Sequence, residues 1–146
     1  MPPTRTQVTY DDVNLVLRLY ELRRESKMRE ARAWFTANFR PQTWAEALEK
    51  WPPGSPENAM YRQVVSYWEM CASFITSGVL FDEIFFENTR ELLLVYVRLE
   101  KVLPEMRKAN SDPLAFHNTE KVAKRFIDWM NHRAPGSYEA FAKRVG

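Results

Sequence analysis

The sequence predicts an all-α fold, an irregular antiparallel bundle of about five main helices plus short ones around a buried central helix at 90–103. Three observations predict it. Apolar residues recur at three- and four-residue steps through most of the chain. Capping residues and prolines punctuate the sequence at helix-length intervals. No alternating apolar–polar run or hairpin dipeptide marks a strand.

Tyr10-Asp11-Asp12 opens the first helix with acids, which suit a helix N-terminus, and Val13, Val16, Leu17 and Tyr20 follow as its stripe. It ends near Arg24, with Glu25-Ser26 as a break. Met28, Ala31, Phe35 and Phe39 form the next stripe, which Pro41 stops because proline disfavours a helical residue before it. Thr43-Trp44-Ala45-Glu46 matches a capping box for a short third helix that stops ahead of Pro52-Pro53-Gly54. Ser55-Pro56-Glu57 is the strongest start signal, combining a serine cap, proline in the first turn and an acid. The helix it opens places Met60, Val64, Tyr67, Trp68, Cys71, Phe74 and Ile75 on one side and Glu69 on the solvent side, and Gly78 caps its end. Val79 to Phe86 reads as a short helical segment. Asn88-Thr89-Arg90-Glu91 resembles a second capping box, leading into Leu92-Leu93-Leu94-Val95-Tyr96-Val97, apolar nearly all round as a buried helix is. Pro104 kinks that helix or starts a new turn. Asp112-Pro113 repeats the cap-plus-proline start, and Val122, Ala123, Phe126, Ile127, Trp129 and Met130 form a stripe opposite Lys121, Lys124, Arg125 and Asp128. Pro135-Gly136-Ser137 turns the chain into a last helix from Tyr138 to Arg144.

The 146 residues, 45% of them hydrophobic and 14% aromatic, suit one domain at 9–146 after a flexible tail at 1–8. Net charge is +2, distributed as +2 over residues 1–50, −4 over 51–100 and +4 over 101–146, which fits an acidic middle packed between basic flanks. The longest run without charge, Met70 to Phe81, falls short of the ~20 apolar residues of a membrane span. No secretory h-region follows the first residues, so a soluble cytoplasmic protein is expected.

Chemistry-bearing patterns are sparse. One cysteine excludes an internal disulfide, two histidines exclude a three-histidine metal site, and four dispersed glycines remove a phosphate cradle. Glu83, Glu87 and Glu91 with His117 and Glu120 do not meet the ligand count of a carboxylate di-metal bundle, so no metal is expected. No catalytic group and no cofactor is assigned, because Cys71 lies on an apolar stripe and His117 and His132 lie near helix ends.

Three residue sets remain as binding candidates. Glu100 falls inside the apolar arc of the central helix, so it is either a buried ion pair, a side chain that escapes past the helix end, or, with Tyr96 and Trp68, the lining of a ligand pocket. Phe81, Ile84, Phe85 and Phe86 are too apolar for a short exposed segment, so either the bundle or a second subunit covers them. Arg23, Arg24, Arg29 and Arg32 could bind an anion, though interleaved acids favour surface pairing and make nucleic acid a weak expectation.

From Leu22 to Phe35 the chain reads Leu-Arg-Arg-Glu-Ser-Lys-Met-Arg-Glu-Ala-Arg-Ala-Trp-Phe. This stretch resembles a bacterial family of small helical proteins known only as a domain of unknown function, in which a first helix turns into a Met-Arg-Glu-Ala-Arg-like helix. Val64 to Leu80 and the general length are similar too. Some members look membrane-anchored by an extra N-terminal span, which this sequence does not show. The resemblance implies an all-helical fold and no assigned activity, so it transfers no functional residue. The functional expectation is a non-catalytic helical interaction or regulatory module that self-associates or binds another protein. A small-ligand or lipid sensor with a pocket inside the bundle is the alternative, and a nucleic-acid binder the second alternative.

Overall fold

The computed structural model describes residues 5–146. Among them run nine helices and no strand: α1 (Tyr10–Arg23), α2 (Ser26–Asn38), α3 (Trp44–Lys50), α4 (Pro56–Thr76), α5 (Asp82–Asn88), α6 (Glu91–Glu100), α7 (Leu103–Ala109), α8 (His117–Arg133) and α9 (Ser137–Val145). Of the tail expected at 1–8, residues 1–4 lie outside the described residues. Arg5 donates to both carboxylate oxygens of Asp12, at 2.6 and 2.7 Å.

The starts of α3 and α4 follow the sequence signals. Thr43 and Ser55 each accept from the backbone N–H three residues on, and Pro56 occupies the first turn of α4. Glu46 departs from the expected reciprocal box by accepting from the Gln42 N–H rather than that of Thr43. Gly78 ends α4 with φ +84°, a conformation that suits glycine because no Cβ clashes there. Helix α1 begins on a signal not read from the sequence, a Thr9–Asp12 capping box in which each side chain takes the other's backbone N–H.

Three expected boundaries shift. Asn88 is not a cap for the following helix; it closes α5 and donates to the Ile84 carbonyl. Asp112-Pro113 opens a turn, with Asp112 accepting from the Leu114 N–H, and α8 starts only at His117 after Phe116 at φ +58°. The central helix expected at 90–103 is α6, which stops at Glu100. Pro104 lies in the first turn of α7, where its missing N–H costs nothing, whereas inside one continuous helix its ring would meet the carbonyl of Glu100.

Helix α4 forms the spine, packed by α2 and by α8, with α6 against α8 and α9 closing on both. Helix α6 is buried almost all round, with Leu92, Leu93, Val95, Tyr96, Val97 and Leu99 in the core. Each buried aliphatic or aromatic side chain stabilises the fold by about 1.5–3 kcal/mol relative to exposure. The aromatic surplus fills this core. Phe39 stacks on Phe35 and Tyr61 at one end, and Phe86 packs on Phe126 and Trp129 at the other. The bundle itself therefore covers Phe85 and Phe86, each 3% exposed, while Phe81 and Ile84 are half-buried. Ion pairs Arg32–Glu91 and Arg133–Glu87 join the acidic middle of the chain to its basic flanks.

Helix α1 departs from its expected orientation. Its fully buried residues are Leu19 and Asp12; of the expected stripe Val16 packs partly buried against the core, while Val13, Leu17 and Tyr20 are exposed. Burying Asp12 next to Arg5 and the Phe81 N–H fixes this rotation.

Candidate functional site

The polar side chains placed in apolar surroundings act first as clamps. Glu91 takes a bidentate bond from Arg32, Nε at 2.8 Å and Nη2 at 2.9 Å, and also accepts the Trp68 indole N–H at 3.0 Å. One carboxylate thus joins α2, α4 and α6. Glu69, expected to face solvent, is partly buried and accepts from the Thr119 N–H, the Thr119 hydroxyl and the Asn118 amide. It caps α8 from across the bundle in place of Phe116, whose ring has no acceptor to offer.

Arg98 is the residue that sequence reasoning missed. The guanidinium is 3% exposed and donates to the carbonyls of Phe35, Thr36, Phe39 and Val145, at the ends of α2 and α9. These carbonyls lie at the negative ends of two helix dipoles, so they stabilise a cation. Burial, with Arg40 adding repulsion, pushes Arg98 down to about 10 and leaves it charged at neutral pH.

These clamps decide the fate of the sequence candidates. Glu100, expected inside the apolar arc, is exposed at the last residue of α6. Tyr96 is buried, and burial followed by the Glu100 charge pushes its phenol up to about 12. Trp68 is 2% exposed and bonded to Glu91 at the first residue of α6, whereas Glu100 is its last. Arg32 is consumed by Glu91, Arg23 and Arg24 both lie beside the Tyr20 ring, and Arg29 is exposed. Among the described residues no group of three His, Cys, Asp or Glu side chains could hold a metal ion. The helix break at Thr89 and Arg90 divides Glu91 from Glu87, which pairs with Arg133.

What remains outward-facing is centred on α1. Between α1, α4 and α5 lies a cleft of about 260 Å³. Val16, Leu17, Leu19, Tyr20, Tyr67, Trp68 and Phe85 give it apolar walls, and Arg23, Asn88 and Thr89 add polar groups. The Tyr67 hydroxyl donates to the Leu19 carbonyl and ties α1 to α4 across the cleft. Burial holds that phenol well above its ordinary range, so it stays protonated. The Arg23 guanidinium lies 5.0 Å from the Tyr20 ring centre and 5.9 Å from that of Trp68, and reaches the Thr89 hydroxyl at 3.5 Å. Along one side of α1, Tyr10 and Val13 outside the cleft and Leu17 and Tyr20 in its wall are 80%, 38%, 54% and 47% exposed.

A model of the family described as "Domain of unknown function (DUF4760)" matches residues 8–126, a span that takes in α1, the cleft and most of α8. No curated protein and no solved structure matches the chain.

Proposed function

The chain belongs to the DUF4760 family, whose activity is unassigned, and from that premise we propose that it is a non-catalytic helical interaction module whose α1 docks on a second copy. One observation carries this reading. Tyr10, Val13, Leu17 and Tyr20 recur at helical spacing yet stand in solvent. Contiguous exposed apolar faces of this kind mark interaction sites.

Charge favours a second copy as the occupant. Asp11 lies in the first turn of α1, and Arg23 and Arg24 lie at its end. A two-fold antiparallel pairing sets the acidic start of each helix against the basic end of the other, and opposes the two helix dipoles. Leu17 then lies near the axis, with Tyr10 towards Arg24 of the second copy. This surface replaces the 81–86 segment as the self-association site, because Phe85 and Phe86 are core residues.

Sedimentation equilibrium across a concentration series tests the pairing. The wild-type mass is expected to rise from 17.3 kDa towards twice that value. Leu17→Asp and Val13→Asp are each expected to hold the mass at the monomer value with an unchanged helical spectrum. A wild type that stays monomeric throughout, or a dimer indifferent to both substitutions, would falsify the proposal.

A further inference from the structure

We propose that the α1–α4–α5 cleft binds a small amphiphilic monocarboxylate, with its apolar chain against Leu19, Trp68 and Phe85 and its carboxylate on Arg23. The cleft shares Leu17, Tyr20 and Arg23 with the surface assigned to α1 pairing, so the carboxylate is proposed for the unpaired chain.

The cleft has the composition such a guest needs. A cavity of about 150 Å³ suffices for benzene, so 260 Å³ admits a chain longer than a single ring spans. Its walls are aliphatic and aromatic, and the polar hydrogens at its back are already taken. The Tyr67 hydroxyl is given to Leu19 and the Trp68 indole N–H to Glu91, so neither calls for a polar guest.

The cation is the selective element. Among the described residues Arg23 makes no ion pair, in contrast with Arg5, Arg32, Arg107 and Arg133. Its longest-range anchors are rings and one hydroxyl, which position the guanidinium without neutralising it. Arginine's planar fork matches a carboxylate with two parallel hydrogen bonds, shorter and stronger than neutral ones. A phosphate-rich polymer is a poorer match, because the cleft walls are apolar and Arg32 is consumed by Glu91.

Calorimetric titration with octanoate and with octanol, equal in chain length and differing in charge, tests the site. Octanoate is expected to bind saturably at one per chain, and octanol about tenfold or more weakly, the scale of one charge-assisted bidentate contact. Arg23→Gln is expected to bring octanoate down to the octanol level and to leave octanol unchanged. Val16→Trp, which fills the cleft, is expected to abolish both. Equal affinities for the two ligands in the wild type overturn the proposal even if a variant fails to fold, as does the lack of saturable binding at millimolar octanoate. Repeating the titration on Val13→Asp, a residue outside the cleft lining, keeps the fate of this site separate from that of the α1 pairing.

Discussion

At the residue scale, Arg98 carries the heaviest structural duty. Its charge sits among backbone carbonyls rather than beside a carboxylate, and one side chain closes the ends of α2 and α9 together. Leaving a buried acceptor unsatisfied costs about 1–3 kcal/mol. Arg98→Met is therefore expected to lower unfolding stability by about 3 kcal/mol or more, measured by urea titration, since several carbonyls lose their donor at once. Arg98→Lys should recover less than half of that loss, because an ammonium cannot span the fork that the guanidinium spans. A full rescue by lysine would show that charge alone matters there. The sequence pointed instead at Glu100, two residues on. A helical wheel places Glu100 in the apolar arc, but α6 ends at that residue, and the terminal turn lets a carboxylate turn outward. No local pattern distinguishes an arginine aimed at distant carbonyls from a surface arginine.

At the element scale, α1 is held by few devices, and Asp12 is central to them. Its carboxylate accepts from the Arg5 guanidinium, the Thr9 N–H, the Thr9 hydroxyl and the Phe81 N–H, linking the start of α1 to the turn before α5. Arg5 is the largest influence that holds this carboxyl well below the usual carboxylate range, ahead of the backbone donors. A group depressed on folding contributes stability that is fully present above its unfolded value, about 3.9, and is lost as pH falls through the folded value. Wild type is thus expected to lose protection of the α1 amides between about pH 4 and 2. Asp12→Asn should show a flatter acid limb from a lower starting stability, followed by hydrogen exchange read by NMR. Superimposable acid limbs would remove Asp12 from this role. The capping chemistry was legible for α3 and α4, where the cap precedes the helix in sequence. It was not legible for α8, whose cap Glu69 comes from the middle of α4.

At the scale of the whole molecule, the apolar faces of α2, α4, α6 and α8 meet in one core, and Cys71 lies inside it with no exposed surface. Burial pushes the thiol up to about 12, so at neutral pH it is neither accessible nor ionised. Modification by a thiol reagent is expected to follow unfolding of the core, slowing in step with stability and accelerating in Arg98→Met. Rapid stoichiometric labelling of the native protein at pH 7 would contradict the packing around α4. The polar clamps tie segments far apart in sequence, Arg32 to Glu91 and Arg98 to Val145, so loss of one is felt by several helices.

The sequence by itself determined that this chain is helical, where α2 to α4 begin, and that α6 is buried, because periodicity, proline and short-range caps are local physics. It also determined the stripe of α2 and the centre of those of α4 and α8. Met60, Tyr67, Phe74, Ile127 and Trp129 are only partly buried, and Tyr61, Val65, Ala72 and Thr119 join the core instead. Tertiary structure alone decided which way α1 turned, which carboxylates became clamps and which arginine lies beside the cleft. Those outcomes depend on partners dozens of residues away, as in Arg23 with Thr89 and Glu69 with Thr119, and a hydrogen bond formed across a bundle leaves no period in the sequence of either helix.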